Sequence, residues 1–205
     1  LRSKLNLLMT LFVSPFLALA VAFVLRGTPE GVPYSFYQNQ NSLLFDFISV
    51  IIFVFIGLAN SIDDVLSEKR IIVREQKLNV SPLFQLTAKH LVLFVMTVIQ
   101  VLLYYYISEL VLSMRGFLLP KGLFYLLSGM AGYSMGIFFS AMIKDRAAII
   151  NILPLVIIPQ IMFSGAVIQF AEMNSALRIK PDSEIPEFCQ VIPSRWLYEG
   201  IVIGS

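Results

Sequence analysis

Eight charged side chains fall within the stretch Asp63–Pro82. The acids are Asp63, Asp64, Glu68 and Glu75, and the bases are Lys69, Arg70, Arg74 and Lys77. Acids and bases so interleaved pair along a helix face, each exposed pair contributing about 0.3–0.5 kcal/mol. That chemistry is mechanical. A charge-latched, hydrogen-bonded helix passes on a displacement that a slack loop absorbs. The plainer account is a solvated charged loop, and spacing alone does not separate the two. The other reactive residue types do not assemble. His90 is the single histidine and lacks the partners of a metal site or a triad. No phosphate-binding G-x-x-x-x-G-K-[ST], no H-E-x-x-H and no G-x-S-x-G is present. The one cysteine, Cys189, rules out an internal disulfide and argues against a cysteine-based metal site. No catalytic and no metal-ligating residue is expected in this stretch.

The chain around the charged stretch is 205 residues long, 58% hydrophobic and 14% charged, with mean hydropathy +0.81. A soluble domain is about 45–50% apolar and about 25% charged. The apolar excess comes in blocks, so the expected fold class is an all-α integral membrane protein, a polytopic helical bundle. A net charge of +2 gives no case for nucleic acid as a partner. Membrane lipid is the expected surround.

A helix needs roughly 20 apolar residues to cross about 30 Å of hydrocarbon. Five segments meet that test: about 5–25, 43–62, 91–112, 123–143 and 147–170. The first carries Pro15 at mid-span, where a kink is tolerated. The charged lever, about 63–80, follows the second span. Its apolar strip Ile71-Ile72-Val73 suits a short helix on the membrane surface, ended by Asn79 and Ser81-Pro82. Tyr104, Tyr105 and Tyr106 are placed as an aromatic belt at the far end of the third span. Arg115, Pro120 and Lys121 are placed in a turn. Ser128, Gly132, Gly136 and Ser140 put a small residue every four positions on one face of the fourth span, a packing face for close helix approach. Pro154, Pro159 and Gly165 break the fifth. After a polar loop, Ser194–Ser205 is amphipathic and too short to span. Leu1 in place of methionine, and the end at Ser205, lead to the expectation of a piece of a longer chain that lacks a sixth span.

Nine Lys/Arg residues (2, 4, 69, 70, 74, 77, 89, 144 and 146) share one side with the lever, and six (26, 115, 121, 178, 180 and 195) lie on the other. The positive-inside bias puts the lever in the cytoplasm. Asp46, Gln100, Glu109 and Asn151 fall near span ends, where snorkelling to headgroups accounts for them. Gln160 is deeper, and either lines a pathway or bonds a carbonyl freed by a proline. Arg195 and Glu199 are four apart, a spacing that lets them pair on one helix face. Trp196 and Tyr198 read as interfacial anchors.

These residues, in this order, resemble a family. Glu68-Lys69-Arg70-Ile71-Ile72-Val73-Arg74-Glu75 is similar to the E-K/R-x-x-x-x-R-E segment after the second span of ABCG-type (white/pleiotropic-drug-resistance-like) ABC exporters. Ser81-Pro82-Leu83 with Ala88-Lys89 is similar to the S-P-L…K that opens their third span. Phe163-Ser164-Gly165 resembles the F/L-S-G ending their fifth. Pro193-Ser194-Arg195-Trp196-Leu197-Tyr198-Glu199 resembles the P-S-R-W-x-x-E of the last external loop in bacterial members. Asn79 departs from the glycine that many relatives carry, and asparagine tolerates the left-handed turn that glycine serves.

The resemblance implies a six-span permease half, five spans of which are present, that pairs with a second permease domain as a homodimer. It implies a coupling helix whose Glu68, Lys69, Arg70, Arg74 and Glu75 sit on a nucleotide-binding domain, fused or separate. ATP and magnesium belong to that domain, with no cofactor in this stretch. It implies an external segment that re-enters the membrane, marked by Pro193, Arg195, Trp196 and Glu199. The pathway between protomers is expected to be lined by Phe53, Phe55, Ile56, Gln160, Met162 and Phe163. The expected role is the permease of an ATP-driven exporter of lipid-like or amphipathic cargo in the plasma (cell inner) membrane. A non-transporting scaffold or assembly subunit is the alternative. An intramembrane hydrolase would need paired catalytic residues at one depth, and none is found.

Overall fold

The computed structural model describes residues 4–27, 34–36, 39, 41–77, 81–114, 118–143, 146–180 and 183–204. Within these ranges, the side chains of residues 4–6, 63, 66–73, 75–77, 82, 118, 146–147 and 149–150 lie outside the description. Asn79, Arg115, Lys144 and Asp145 also fall outside it.

Among the described residues there are seven α-helices: α1 Lys4–Leu25, α2 Ser42–Lys77, α3 Pro82–Leu112, α4 Leu118–Met142, α5 Arg146–Met162, α6 Glu187–Gln190 and α7 Pro193–Gly204. Successive long helices run antiparallel, so one end of the bundle holds the start of α2 and of α4. That end is called the loop end here, and the other the lever end. Among the described residues, four stretches are long and apolar enough to cross a membrane: Leu7–Leu25, Ser42–Ile62, Leu83–Leu112 and Leu119–Met142. With no packed soluble exterior, their outward faces stay apolar. Phe12, Phe16, Phe23, Val24, Leu91, Leu102 and Leu110 are all exposed.

The expected lever is not a separate helix. α2 runs without a break for 36 residues, about 54 Å at 1.5 Å per residue. Nothing in Asn60-Ser61-Ile62-Asp63-Asp64 stops a helix, since neither proline nor glycine intervenes. α3 likewise starts nine residues before the expected span. Ser81 is in the extended region and its side chain accepts from Phe84 N–H, while Pro82 opens the helix. Both residues suit a helix start. α2 therefore carries its charged residues beyond the apolar stretch that ends at Ile62.

α4 also begins early, at Leu118, taking Pro120 and Lys121 into its first turns. A proline is tolerated there because first-turn N–H groups have no intrahelical partner. α5 is shorter than the expected 147–170 span. Its 17 residues cover about 26 Å. Pro154 and Pro159 each remove a helix N–H, and Gly165 turns the chain at φ +82° with Phe170 packed against it. A side chain at Gly165 would be strained there and would strike the Phe170 ring.

The main core joins α1, α2, α3, α4 and α7 around Phe45, Phe53, Tyr104, Tyr125 and Ile201. A smaller one packs Leu58 and Ile62 of α2 against Met135 and Phe139 of α4 and Leu153 and Val156 of α5. Two of the three tyrosines expected in an interfacial belt belong to the interior. Tyr104 and Tyr105 are buried, and only Tyr106 faces out. The Tyr105 hydroxyl donates to the Met114 carbonyl at 2.8 Å, which gives the buried O–H a partner.

Candidate coupling site

α2 is the element on which the site is built. Its first half packs on α4 in the most extensive helix pair of the chain. Small residues permit that approach. A Cβ added at Gly132 would collide with the Val54 carbonyl, and one at Gly57 with the Gly129 carbonyl. Gly136 meets Leu58 and Ser61 in the same way. Ser128 is buried and donates back to Phe124 O at 2.7 Å, and Ser140 is buried farther along. Gly132 and Gly136 thus lie on the α2–α4 seam, and Ser128 and Ser140 are buried on the same helix.

At the loop end that seam is pinned by charge. Lys121 Nζ donates to Asp46 Oδ1 at 2.9 Å and to Oδ2 at 2.7 Å, and Tyr125 Oη donates to Oδ1 at 2.9 Å. The ammonium also lies 4.5 Å from the centre of the Phe36 ring. Around the trio, Phe53 packs on Tyr104 and Tyr125, and the Tyr104 hydroxyl meets Ser49 Oγ at 2.8 Å. The expectation that Asp46 snorkels to headgroups is therefore overturned. Asp46 and Lys121 are both 2% exposed and satisfy each other. Placing Lys121 in a turn concealed the pair. An acid just inside the second expected span and a base just before the fourth was the available signal.

Gln100 also lies inside, at 1% exposure. Its Nε2 donates to Thr10 O at 2.9 Å, and Ser14 Oγ donates to Gln100 O at 2.7 Å. This reciprocal clasp holds α1 to α3 beside Pro15. Gln100 Oε1 also accepts from Asn60 of α2 at 3.5 Å.

At the start of the charged half of α2, Asp64 Oδ2 lies 3.1 Å from Lys89 Nζ of α3. Farther out, Arg74 is exposed. The side chains of Glu68, Lys69, Arg70 and Glu75 lie outside the description, though their backbone is helical.

The expected pathway residues divide. Phe53 and Ile56 are buried within the bundle of the single chain. Phe53 lies in the aromatic core with Tyr104 and Tyr125. Phe55 points outward, 42% exposed. Met162 is exposed as well, while Phe163 stacks edge-on against Phe188 at 4.9 Å. Gln160 is buried and ties α5 to α7: its Oε1 accepts from Ser194 N at 3.0 Å, and its carbonyl accepts from Ser194 Oγ at 2.6 Å. It also borders an open apolar groove of about 500 Å³ between α4 and α5, with Met135, Phe138, Leu155 and Pro159.

The segment after α5 is held by local bonds. Arg195 donates to Glu199 at 3.0 Å, its guanidinium 4.1 Å from the centre of the Trp196 ring. Trp196 donates its indole N–H to Gln190 O at 2.7 Å. α7 then packs on α2 and α4 through Tyr198 against Phe47 and Ile201 in the core. Glu187 accepts from the Ile179 and Lys180 N–H groups at 2.8 and 3.2 Å. These backbone bonds, that of Ile179 above all, hold its carboxyl below the usual range. Burial pushes the Cys189 thiol up.

Long apolar helices joined by a buried polar lattice, with one helix carried past the apolar bundle as a charged extension, define a multi-pass helical membrane protein. The chain belongs to the ABC-2 type transporter family, whose sequence model matches residues 1–204. It is the membrane part of an ABC transporter, the permease rather than the catalytic part. No curated protein matches the chain.

Proposed function

We propose that this permease belongs to an ABCG-like, ATP-driven exporter of lipid-like or amphipathic cargo. The observation that carries the reading is the continuity of α2. A single helix joins the apolar bundle to an extension bearing Glu68, Lys69, Arg70, Arg74 and Glu75. A nucleotide-binding domain, fused or separate, binds ATP and magnesium and displaces that extension. The push then reaches the bundle as motion of one rod, without a loop to absorb it.

The α2–α4 seam and the Asp46–Lys121 pair make α2 and α4 move together. α5 is the partner they move against. It is short and proline-broken, and an apolar groove separates it from α4. Widening of that groove, with a second copy of the chain completing the wall, exposes a surface suited to acyl chains. Outward transport across the plasma membrane follows from the ABCG-type resemblance.

The test uses the complete transporter with its ATPase in vesicles, and a fluorescent short-chain phospholipid as probe. In Glu68→Ala/Arg74→Ala, ATP-dependent movement of the probe should fall about tenfold while ATP hydrolysis stays within about twofold, the signature of lost coupling. Unchanged movement overturns the coupling role. No movement in the wild type overturns the cargo class and favours the scaffold alternative.

A further inference from the structure

We infer that Asp64 and Lys89 are a positioning pair that makes α3 follow the stroke of α2; this rests on the coupling role proposed for the α2 extension. The backbones of α2 and α3 touch sparsely, far less than those of α2 and α4. Among the described residues, polar side chains join them at three depths, and the Phe45 and Phe53 rings add contact with Tyr104 toward the loop end. Ser49 meets Tyr104 near the loop end, Asn60 meets Gln100 in the middle, and Asp64 meets Lys89 at the root of the extension. The first two are neutral, and the middle one is 3.5 Å long. The third is charge-assisted and 3.1 Å, and it sits where the push enters the bundle.

The environment of the third link sets it apart from a loose surface pair. The two side chains are each only 13% exposed, so water screens them less than the exposed pairs that contribute little. Next to Lys89, His90 packs edge-on against Tyr133 of α4 at 5.6 Å. The base of α3 is thus held to both members of the α2–α4 unit. α3 in turn carries α1 through the Gln100–Thr10 and Ser14–Gln100 bonds. Displacing the extension with the pair intact moves four helices. With the pair broken, α2 and α4 move and the lever end of α3 lags, while its loop end stays held through Tyr104 against Phe53 and Tyr125.

The experiment reads helix positions, with ATP plus vanadate as the probe. Spin labels go on the complete transporter at exposed residues, one pair at Phe55 and Ile158 and another at Leu91 and Ile158. Wild type should shift both distances on trapping, by about 2 Å or more. Asp64→Asn and Lys89→Gln should keep the Phe55–Ile158 shift and lose the Leu91–Ile158 shift. The swap Asp64→Lys/Lys89→Asp should restore it, a rescue that general destabilisation would not give. The inference is overturned if the Leu91–Ile158 shift survives both single changes, or if the swap fails to restore it in a protein that elutes and melts like wild type. If neither distance moves in wild type, the coupling reading itself fails, a result distinct from loss at one pair.

Discussion

Lys121 spans both carboxylate oxygens of Asp46, at 2.9 and 2.7 Å, with neither residue more than 2% exposed. Two charges out of water are held there by each other and by Tyr125. Removing one partner leaves the other buried and uncompensated, at about 3–5 kcal/mol, whereas replacing both by apolar groups is far milder. Lys121→Met and Asp46→Leu should each lower thermal stability strongly in detergent. The double variant should recover most of the loss. A double-mutant cycle by thermal unfolding checks this, and additive losses would refute the pairing.

The α2–α4 seam makes a second prediction. A methyl group at Gly132 meets the Val54 backbone, which cannot rotate out of the way as a side chain can. Overpacking of this kind costs about 1–3 kcal/mol. Gly132→Ala should therefore destabilise the protein and separate α2 from α4, and Gly132→Val more so. Gly204→Ala is the control, since its Cβ would rest 3.7 Å from Phe124, an ordinary contact. Melting temperatures of the three variants in one detergent decide it.

The seam was legible in the sequence because glycine and serine recur every four residues, a pattern that reports one helix face directly. The apolar blocks likewise made the long helices and the all-α class readable. Helix ends were harder. The charges at 63–77 read as a separate element, yet charge alone does not stop a helix, and α2 runs straight through them. The burial of Asp46, Lys121, Gln100 and Tyr104 was hidden for a related reason. Hydropathy measures transfer from water, and each of these residues avoids that penalty through a partner 40 to 90 positions away. Phe53 shows the converse, because an apolar residue on a span does not announce whether it faces lipid, a pathway or another ring.

Cys189 gives a chemical readout of the segment after α5. Its sulfur is buried, 3.6 Å from Met173 Sδ, and burial raises the thiol pKa. Thiolate is the reacting form, so the folded protein should label slowly with maleimide at neutral pH. Replacing Trp196 by alanine removes the bond to Gln190 O, next to Cys189. That variant should label faster without loss of the helical spectrum. Equal rates in both would place the thiol outside any structure that Trp196 supports.

Glu187 supplies the pH dependence. Its carboxylate accepts from the N–H groups of Ile179 and Lys180, and these bonds lower its pKa below the ordinary 4.5. The charged form is the one the fold prefers, so its contribution is present in full above the ordinary value. It is lost as pH falls from about 4.5 through the lowered folded value. The Ser183 hydroxyl also donates toward it and does not reverse the sign, since a donor favours the carboxylate. Hydrogen exchange at the Ile179 and Lys180 amides should therefore show protection that collapses only below about pH 4.5, after correction for intrinsic exchange. Glu187→Gln should weaken that protection at neutral pH and flatten its change with acid. A wild-type profile with no acid limb would mean that the bonds do not form, and that some other contact orders the turn between Leu177 and Glu187.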